Sequence, residues 1–297
     1  MTHDVYIWAV DVSRWNAVAY SRVEGKNTQR LPWMDALDEE IAFFLDAYDT
    51  KAAAKVRRYL RGVDRIRALV ATVMARVMLM ENDPTCAWKD IEITTTPGGR
   101  PYVKQPATVQ HWDWNASHDG DWVVMAYTKE GRVGADVMEV GLPSFEKSSR
   151  TFCETLKQSM TSAEYEWILE SGSEDLMLSR LMDLWTYKEA FTKNIGAGLG
   201  FDFRRVQVLR DANDDMALSI DGQRNDRYRF IQVDLPHGQA QRSHTNHSRI
   251  AVVHGPLPAP YPGQHAPVPC TEAQQQGWLR TWTVDEFLDY AHTQHQR

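Results

Sequence analysis

WTYKEAFTK, residues 185–193, decides how this chain is read. Taken as a helix, it places Trp185, Glu189 and Lys193 on one face, each one turn from the next, with Lys188 beside Glu189. Two readings stand. One is a packed tryptophan with an intrahelical ion pair on a solvated face. The other is a site that holds a cation and anionic oxygens. The following GAGLG (196–200) is a helix stop. Its glycines come after a helix and are spaced GxGxG, so they do not form a dinucleotide-binding fingerprint.

Working outward, residues 144–194 read as a helical zone in three pieces, the middle one opened by a capping box at Thr161–Glu164. Strand patterns follow at 205–212, 216–221, 227–234 and 248–254. Upstream, HWDWNASHDGDWVVMAYTKEGRVGADVMEV (111–140) reads as three strands turning at HDGD and TKEGR. Before it come a strand at 91–96 and a buried helix at 63–80. Gly62 separates that helix from a shorter one at 51–60. An amphipathic helix at 34–48 and a first strand at 5–13 complete the order. Strand, helices, strands, then helices and strands again predict an α+β fold: two similar halves, each an antiparallel sheet packed with helices. The join falls near 128–133, giving halves at 1–130 and 131–254. The remainder, 255–297, opens with GPLPAPYPGQHAPVP, whose six prolines predict an extended arm, and ends in a helix at 283–295 capped by Thr283.

Composition narrows the class. The chain has 297 residues, 43% hydrophobic and 25% charged, as folded globular proteins do. A net charge of −7 argues against general nucleic-acid binding. No apolar run approaches the ~20 residues of a membrane span, and MTHDVYIWAV lacks the basic region of a signal peptide. Cys86, Cys153 and Cys270 are widely spaced and odd in number, so neither a disulfide framework nor a zinc site is indicated. A cytoplasmic protein is expected.

Three further constellations carry chemistry. Residues 51–76 hold eight cations (Lys51, Lys55, Arg57, Arg58, Arg61, Arg65, Arg67 and Arg76) against one acid, Asp64. They form either a solvated helix face or a grip on several phosphates. In VGADVMEV (133–140), strand alternation puts Asp136 and Met138 on one face and Val137 and Glu139 on the other. In WNASHDGDWVV (114–124), His118 sits in a polar turn, incidental unless a phosphate lies beside it.

In order and spacing these pieces resemble the Sfp-type 4′-phosphopantetheinyl transferases. The family's basic–aromatic stretch followed by Asp and Arg is here KVRRYLRGVDRIR (55–67). Its Gly–Lys–Pro segment is GRP (99–101), with Arg100 for the lysine. Its Asn–x–Ser–His turn is NASH (115–118), its Gly–x–Asp strand is GAD (134–136), and its Trp–x–x–Lys–Glu–x–x–x–Lys helix is the opening stretch. The resemblance implies a monomeric pseudo-dimer with coenzyme A between its halves. It implies Mg²⁺-dependent transfer of phosphopantetheine to a serine of apo carrier proteins (acyl, peptidyl or aminoadipyl), with release of 3′,5′-ADP. Carried over by position, Asp136 and Glu189 would bind the metal, and Asp136, Glu189 and Lys193 would act in catalysis. Lys55, Arg58, Arg67, Arg100, Ser117, His118, Lys188 and Lys193 would bind coenzyme A.

Two departures bear on this. Many bacterial members have a carboxylate two residues after the strand aspartate, where this chain has Met138, and Glu139 should face away. The resemblance therefore implies two protein carboxylates on the metal. Where some relatives have a lysine three residues before Lys55, this chain has Ala52, with Lys51 adjacent. A competing class is a coenzyme A or nucleotide-binding module without catalysis. A basic-helix RNA binder is opposed by the overall acidity and by the lack of aromatic stacking motifs at 55–67.

Overall fold

The periodicities resolve into two four-stranded sheets, each carrying one long helix, in a computed structural model that describes residues 4–15, 32–210, 216–238, 247–261 and 267–296. The first half runs β1 (Val5–Asp11), α1 (Pro32–Ile41) continued by one π-helical segment (Ala42–Asp46), α2 (Thr50–Arg57) and α3 (Gly62–Asn82). It then gives β2 (Glu92–Thr95), β3 (Pro101–Gln105), β4 (Asp113–Asp119) and β5 (Trp122–Thr128). The second half runs β6 (Arg132–Glu139), α4 (Ser149–Leu156), α5 (Ser162–Leu169) and α6 (Glu174–Ile195). Next come β7 (Val206–Arg210), β8 (Met216–Ile220), β9 (Gln223–Arg224), β10 (Arg229–Leu235) and β11 (Ser248–Gly255). The plan repeats: a strand, three helices with the longest last, a small separate sheet, then an antiparallel pair. In each half the first strand pairs antiparallel with the last, β1 with β5 and β6 with β11. The α+β class expected from the sequence is the class observed. Of the strand predicted at 205–212, residues 211 and 212 lie outside the described residues.

The segment after Gly255 does more than trail. Part of the proline-rich arm, 262–266, lies outside the described residues. Its end, β12 (Pro267–Pro269), pairs parallel with β10 at a sheet edge. An edge suits proline, which has no N–H for a neighbour on both sides. After α7 (Cys270–Gln275), β13 (Leu279–Thr283) lies parallel to β1, giving the order β13-β1-β5-β4 against β12-β10-β11-β6. The closing helix α8 (Val284–His295) has the capping box at Thr283. Its Val284, Phe287, Leu288 and Ala291, spaced for one face, join the core beneath α3.

Three apolar cores result. One lies between the first sheet, α3 and α8, and one between the second sheet and α6. The third lies between the two sheets, where Ile7, Val124 and Ala126 meet Val133, Ala135, Val137 and Val252. The sheets also meet edge to edge along β4 and β6. Here β4 side chains accept the outward amides of β6: Val133 N donates to Asp113 Oδ2 (2.8 Å), Ala135 N to Asn115 Oδ1 (2.9 Å) and Glu139 N to Asp119 Oδ2 (2.8 Å). Edge amides left bare would be costly or sticky, and these side chains satisfy them without a continuous ladder.

β6 and α6 touch at the backbone. A Cβ on Gly134 would stand 1.9 Å from the Ala190 carbonyl oxygen and 2.4 Å from the Asn194 nitrogen. Those atoms belong to the helix ladder and cannot turn aside. Gly134→Ala is therefore expected to push α6 off the sheet and destabilise the fold by about 3 kcal/mol. Urea unfolding of the variant checks this; a loss below about 1 kcal/mol would count against the close approach.

Candidate functional site

At position 117 the regular seam breaks. Asp113, Asn115 and Asp119 each take an amide twenty residues on, but the Ser117 hydroxyl turns aside and donates to Asp136 Oδ1 (2.8 Å). Lys193 of α6 closes the cluster. Its Nζ donates to Asp136 Oδ1 (2.6 Å) and to Ser117 Oγ (2.9 Å). These residues line a hollow of about 400 Å³ with His118, Asp119, Met138 and Trp185. Trp185 stands edge-on to Phe203 (5.5 Å between ring centroids) as one wall. A larger hollow of about 560 Å³ lies elsewhere, among Tyr6, Trp112, Tyr127 and Arg280. Its Arg280 and Glu81 form a simple ion pair (2.6 Å), whereas the smaller hollow gathers a hydroxyl, a carboxyl and an ammonium group in mutual hydrogen bonds and is the better candidate for chemistry.

The electrostatics are unbalanced. Asp136 is 6% exposed. Burial pushes its carboxyl above the usual range, against the pull of Lys193 and Ser117. Glu189, half-buried one turn before Lys193, is also raised, first by burial and then by the charge of Asp136, with Lys193 opposing. Two carboxyls thus share one lysine, and the site is short of positive charge. His118 is exposed, yet the atoms packed around its ring push its pKa down, helped by the Arg67 and Lys193 cations. Arg67 reaches over from α3, donating to the Gly120 carbonyl and lying 3.6 Å from Asp64. Its buried Nε has no partner among the described residues.

The face expected from the opening stretch is present: Trp185 and Lys193 line the hollow and Glu189 lies within electrostatic reach of Asp136. Met138 lines the same hollow as Asp136, while Glu139 packs against Gly120 outside that lining. The β6–β11 register runs without a shift, so no bulge turns Glu139 inward.

Two of the residues expected to bind coenzyme A have their donors taken up within the chain. Lys188 points into the core, 2% exposed. Its three N–H donors go to Glu164 Oε2 (2.7 Å), the Phe203 carbonyl (2.9 Å) and the Ser159 carbonyl (3.2 Å). One residue from Glu189 is about 100° around the helix, which turns this cation away from the hollow. Arg100 is likewise buried, and all five of its donors are taken by Asp113, Val133, Lys193 and Asn194. Lys55 and Arg58 are exposed on and just after α2 and are not among the lining residues. Of the eight cations in the basic run, Arg57 pairs with Asp46, Arg65 binds the Tyr59 carbonyl, and Arg76 is buried on Asp49, Trp88 and Ile91. Sequence reasoning missed the seam residues Asp113, Asn115 and Asp119. Their signal was the polar alternation of DWNASHD (113–119).

With this geometry in place, comparison with known proteins identifies the family. Residues 33–130 match the family model described as 4′-phosphopantetheinyl transferase, N-terminal, and residues 132–252 match the 4′-phosphopantetheinyl transferase superfamily. The chain belongs to the 4′-phosphopantetheinyl transferase superfamily. A phosphopantetheinyl transferase of Thraustochytrium sp. is 33% identical over 193 residues, a match covering 62% of this chain and 65% of that protein's length. The 4′-phosphopantetheinyl transferase pptA of Paxillus involutus is 28% identical over 200 residues (64% and 73%). The L-aminoadipate-semialdehyde dehydrogenase-phosphopantetheinyl transferase of Homo sapiens is 28% identical over 261 residues (84% and 75%).

The raised carboxyls set a pH dependence. Their folded pKa values lie above the unfolded ones, which are near ~4. Between those values the native state binds more protons than the unfolded state, so the stability these groups contribute falls as pH rises through the window. The double variant Asp136→Asn/Glu189→Gln lacks that loss. Its stability relative to wild type is expected to rise from about pH 4 to about pH 7, read as urea midpoints. A difference that stays flat with pH would contradict the assignment.

Proposed function

We propose that this chain transfers the 4′-phosphopantetheine arm of coenzyme A to a serine of an apo carrier protein and releases 3′,5′-ADP. The observation that carries the reading is the seam cluster: Ser117, Asp136 and Lys193 share one hollow, with Glu189 electrostatically coupled to them.

A buried and a half-buried carboxyl short of positive charge suit a hard divalent cation with oxygen ligands, and Asp136 and Glu189 would hold Mg²⁺. When bound, the ion neutralises diphosphate charge. The chain's own groups do the rest. Lys193 holds an anionic oxygen at the hollow, and Ser117 and His118 offer donors beside it. Arg67 adds a cation close enough to His118 to depress its pKa, anchored by its bond to the Gly120 carbonyl. Glu189, with its basicity raised by burial and by Asp136, accepts the proton of the attacking serine hydroxyl, directly or through a water. Attack on the diphosphate then rests on positioning and charge.

The expected carriers are acyl, peptidyl or aminoadipyl. Similarity to the L-aminoadipate-semialdehyde dehydrogenase-phosphopantetheinyl transferase of Homo sapiens makes an aminoadipyl carrier one of the first to test.

Incubation of an apo carrier with coenzyme A and Mg²⁺ should add one phosphopantetheine arm by mass. Glu189→Gln is expected to cut that rate by about 100-fold or more while leaving coenzyme A affinity within about twofold. No mass gain with wild type across acyl, peptidyl and aminoadipyl carriers would favour a binding module. Near-normal turnover of the variant would remove Glu189 from its role.

A further inference from the structure

We infer that Arg100 is a positioning residue that pins the end of α6 to the β4–β6 seam, and that it gives no donor to coenzyme A. The inference rests on the proposed function for its catalytic readout only. An arginine has five N–H donors. Here Nε donates to Asp113 Oδ1 (3.3 Å), and Nη1 donates to the carbonyls of Lys193 and Asn194 (3.3 Å to the latter). Nη2 donates to Asp113 Oδ2 and to the Val133 carbonyl (2.7 Å). None remains for a phosphate or an adenine.

The acceptors are informative. The last carbonyls of a helix lack intrahelical partners, and a cation there also meets the negative end of the helix dipole. Arg100 takes two of these carbonyls, and one belongs to Lys193, whose Nζ holds Asp136 and Ser117. Its other contacts are Asp113 on β4 and Val133 on β6. Asp113 also accepts the Val133 amide, so the guanidinium sits at the knot of the seam. The preceding turn is fitted to the same helix end: a Cβ on Gly98 would stand 2.6 Å from the Gly196 carbonyl oxygen. From the opposite side, the two N–H groups of the Asn194 side-chain Nδ2 face three carbonyls, Arg132 (2.9 Å), Val253 (3.0 Å) and Gly255 (3.2 Å). The end of α6 is thus held from both flanks. A lysine at position 100 would bring three donors on one atom and could not span this planar set.

The test uses the full chain carrying Arg100→Lys or Arg100→Gln. Coenzyme A affinity by calorimetry and its KM should stay within about threefold of wild type. The kcat should fall by about tenfold or more, and amide hydrogen exchange over residues 188–196 should accelerate. Asp113→Asn removes one anchor and leaves the cation, and should show the same three readouts in weaker form. It decides the matter if the Arg100 variants do not fold. A loss of coenzyme A affinity of about tenfold in Arg100→Lys, with unchanged exchange and kcat, would overturn the inference and make Arg100 a ligand. So would normal kcat and exchange in Asp113→Asn. Wild type that binds coenzyme A but transfers no arm would sink the proposed function instead, while affinity and exchange would still decide Arg100.

Discussion

The seam between β4 and β6 governs this molecule. Each sheet ends there on an edge, and a bare edge is a liability. A continuous ladder would have fused the sheets and left no hollow. Instead, alternate side chains of β4 take the outward amides of β6 at a constant offset of twenty residues. Side-chain acceptors hold the strands close yet leave room between them. Where the row is interrupted, at Ser117, a hydroxyl and a carboxyl meet, and a lysine from α6 reaches them. The site is the place where the stitching stops.

The two buried ion pairs of α6 show how structure separates scaffold from chemistry. Glu164 accepts from the Thr161 amide and hydroxyl, from Val208 N and from Lys188, whose three donors are all used. That cluster is satisfied, so it fixes α5 and the start of β7 against α6 and offers nothing to a ligand. The second pair, five residues on, is the reverse. Asp136 and Glu189 share Lys193, and both carboxyls are pushed toward protonation. A buried site missing a positive charge is unfavourable by itself and is explained by what it is built to receive. Counting donors against acceptors tells the two apart where burial alone does not.

Much of this was legible in the sequence, for identifiable reasons. Local signals carried the elements: the capping boxes at Thr161 and Thr283, the glycine break at Gly62, and the turns that divide 111–140 into three strands. Strand alternation placed Met138 on the aspartate's side and Glu139 away from it. Helical spacing separated Trp185, Glu189 and Lys193 as one face. What failed was the fate of individual cations. Lys188 and Arg100 have the residue type of phosphate ligands, but their donors are taken by carboxylates and backbone carbonyls from other segments, and no sequence pattern marks those acceptors as free. The return of β13 to the first sheet was equally hidden. A parallel partner more than 260 residues from β1 leaves no local trace beyond a short apolar run.

The closest tie between fold and site is Gly134. Its lack of a side chain lets β6 lie against the backbone of α6 at Ala190 and Asn194. Those contact points bracket the functional turn: Glu189 immediately precedes the first and Lys193 immediately precedes the second. Two residues along β6, on the same face, stands Asp136. A helix resting on a strand at a single bare residue cannot slide or roll without losing that contact. The spacing Gly–x–Asp on the strand and Glu–x–x–x–Lys on the helix are therefore two halves of one geometric statement. The glycine sets how near the helix comes, and the offsets set which side chains meet. Arg100 and Asn194 then fix the helix end so that this meeting is held, which is why so many buried donors cluster around a hollow of only about 400 Å³.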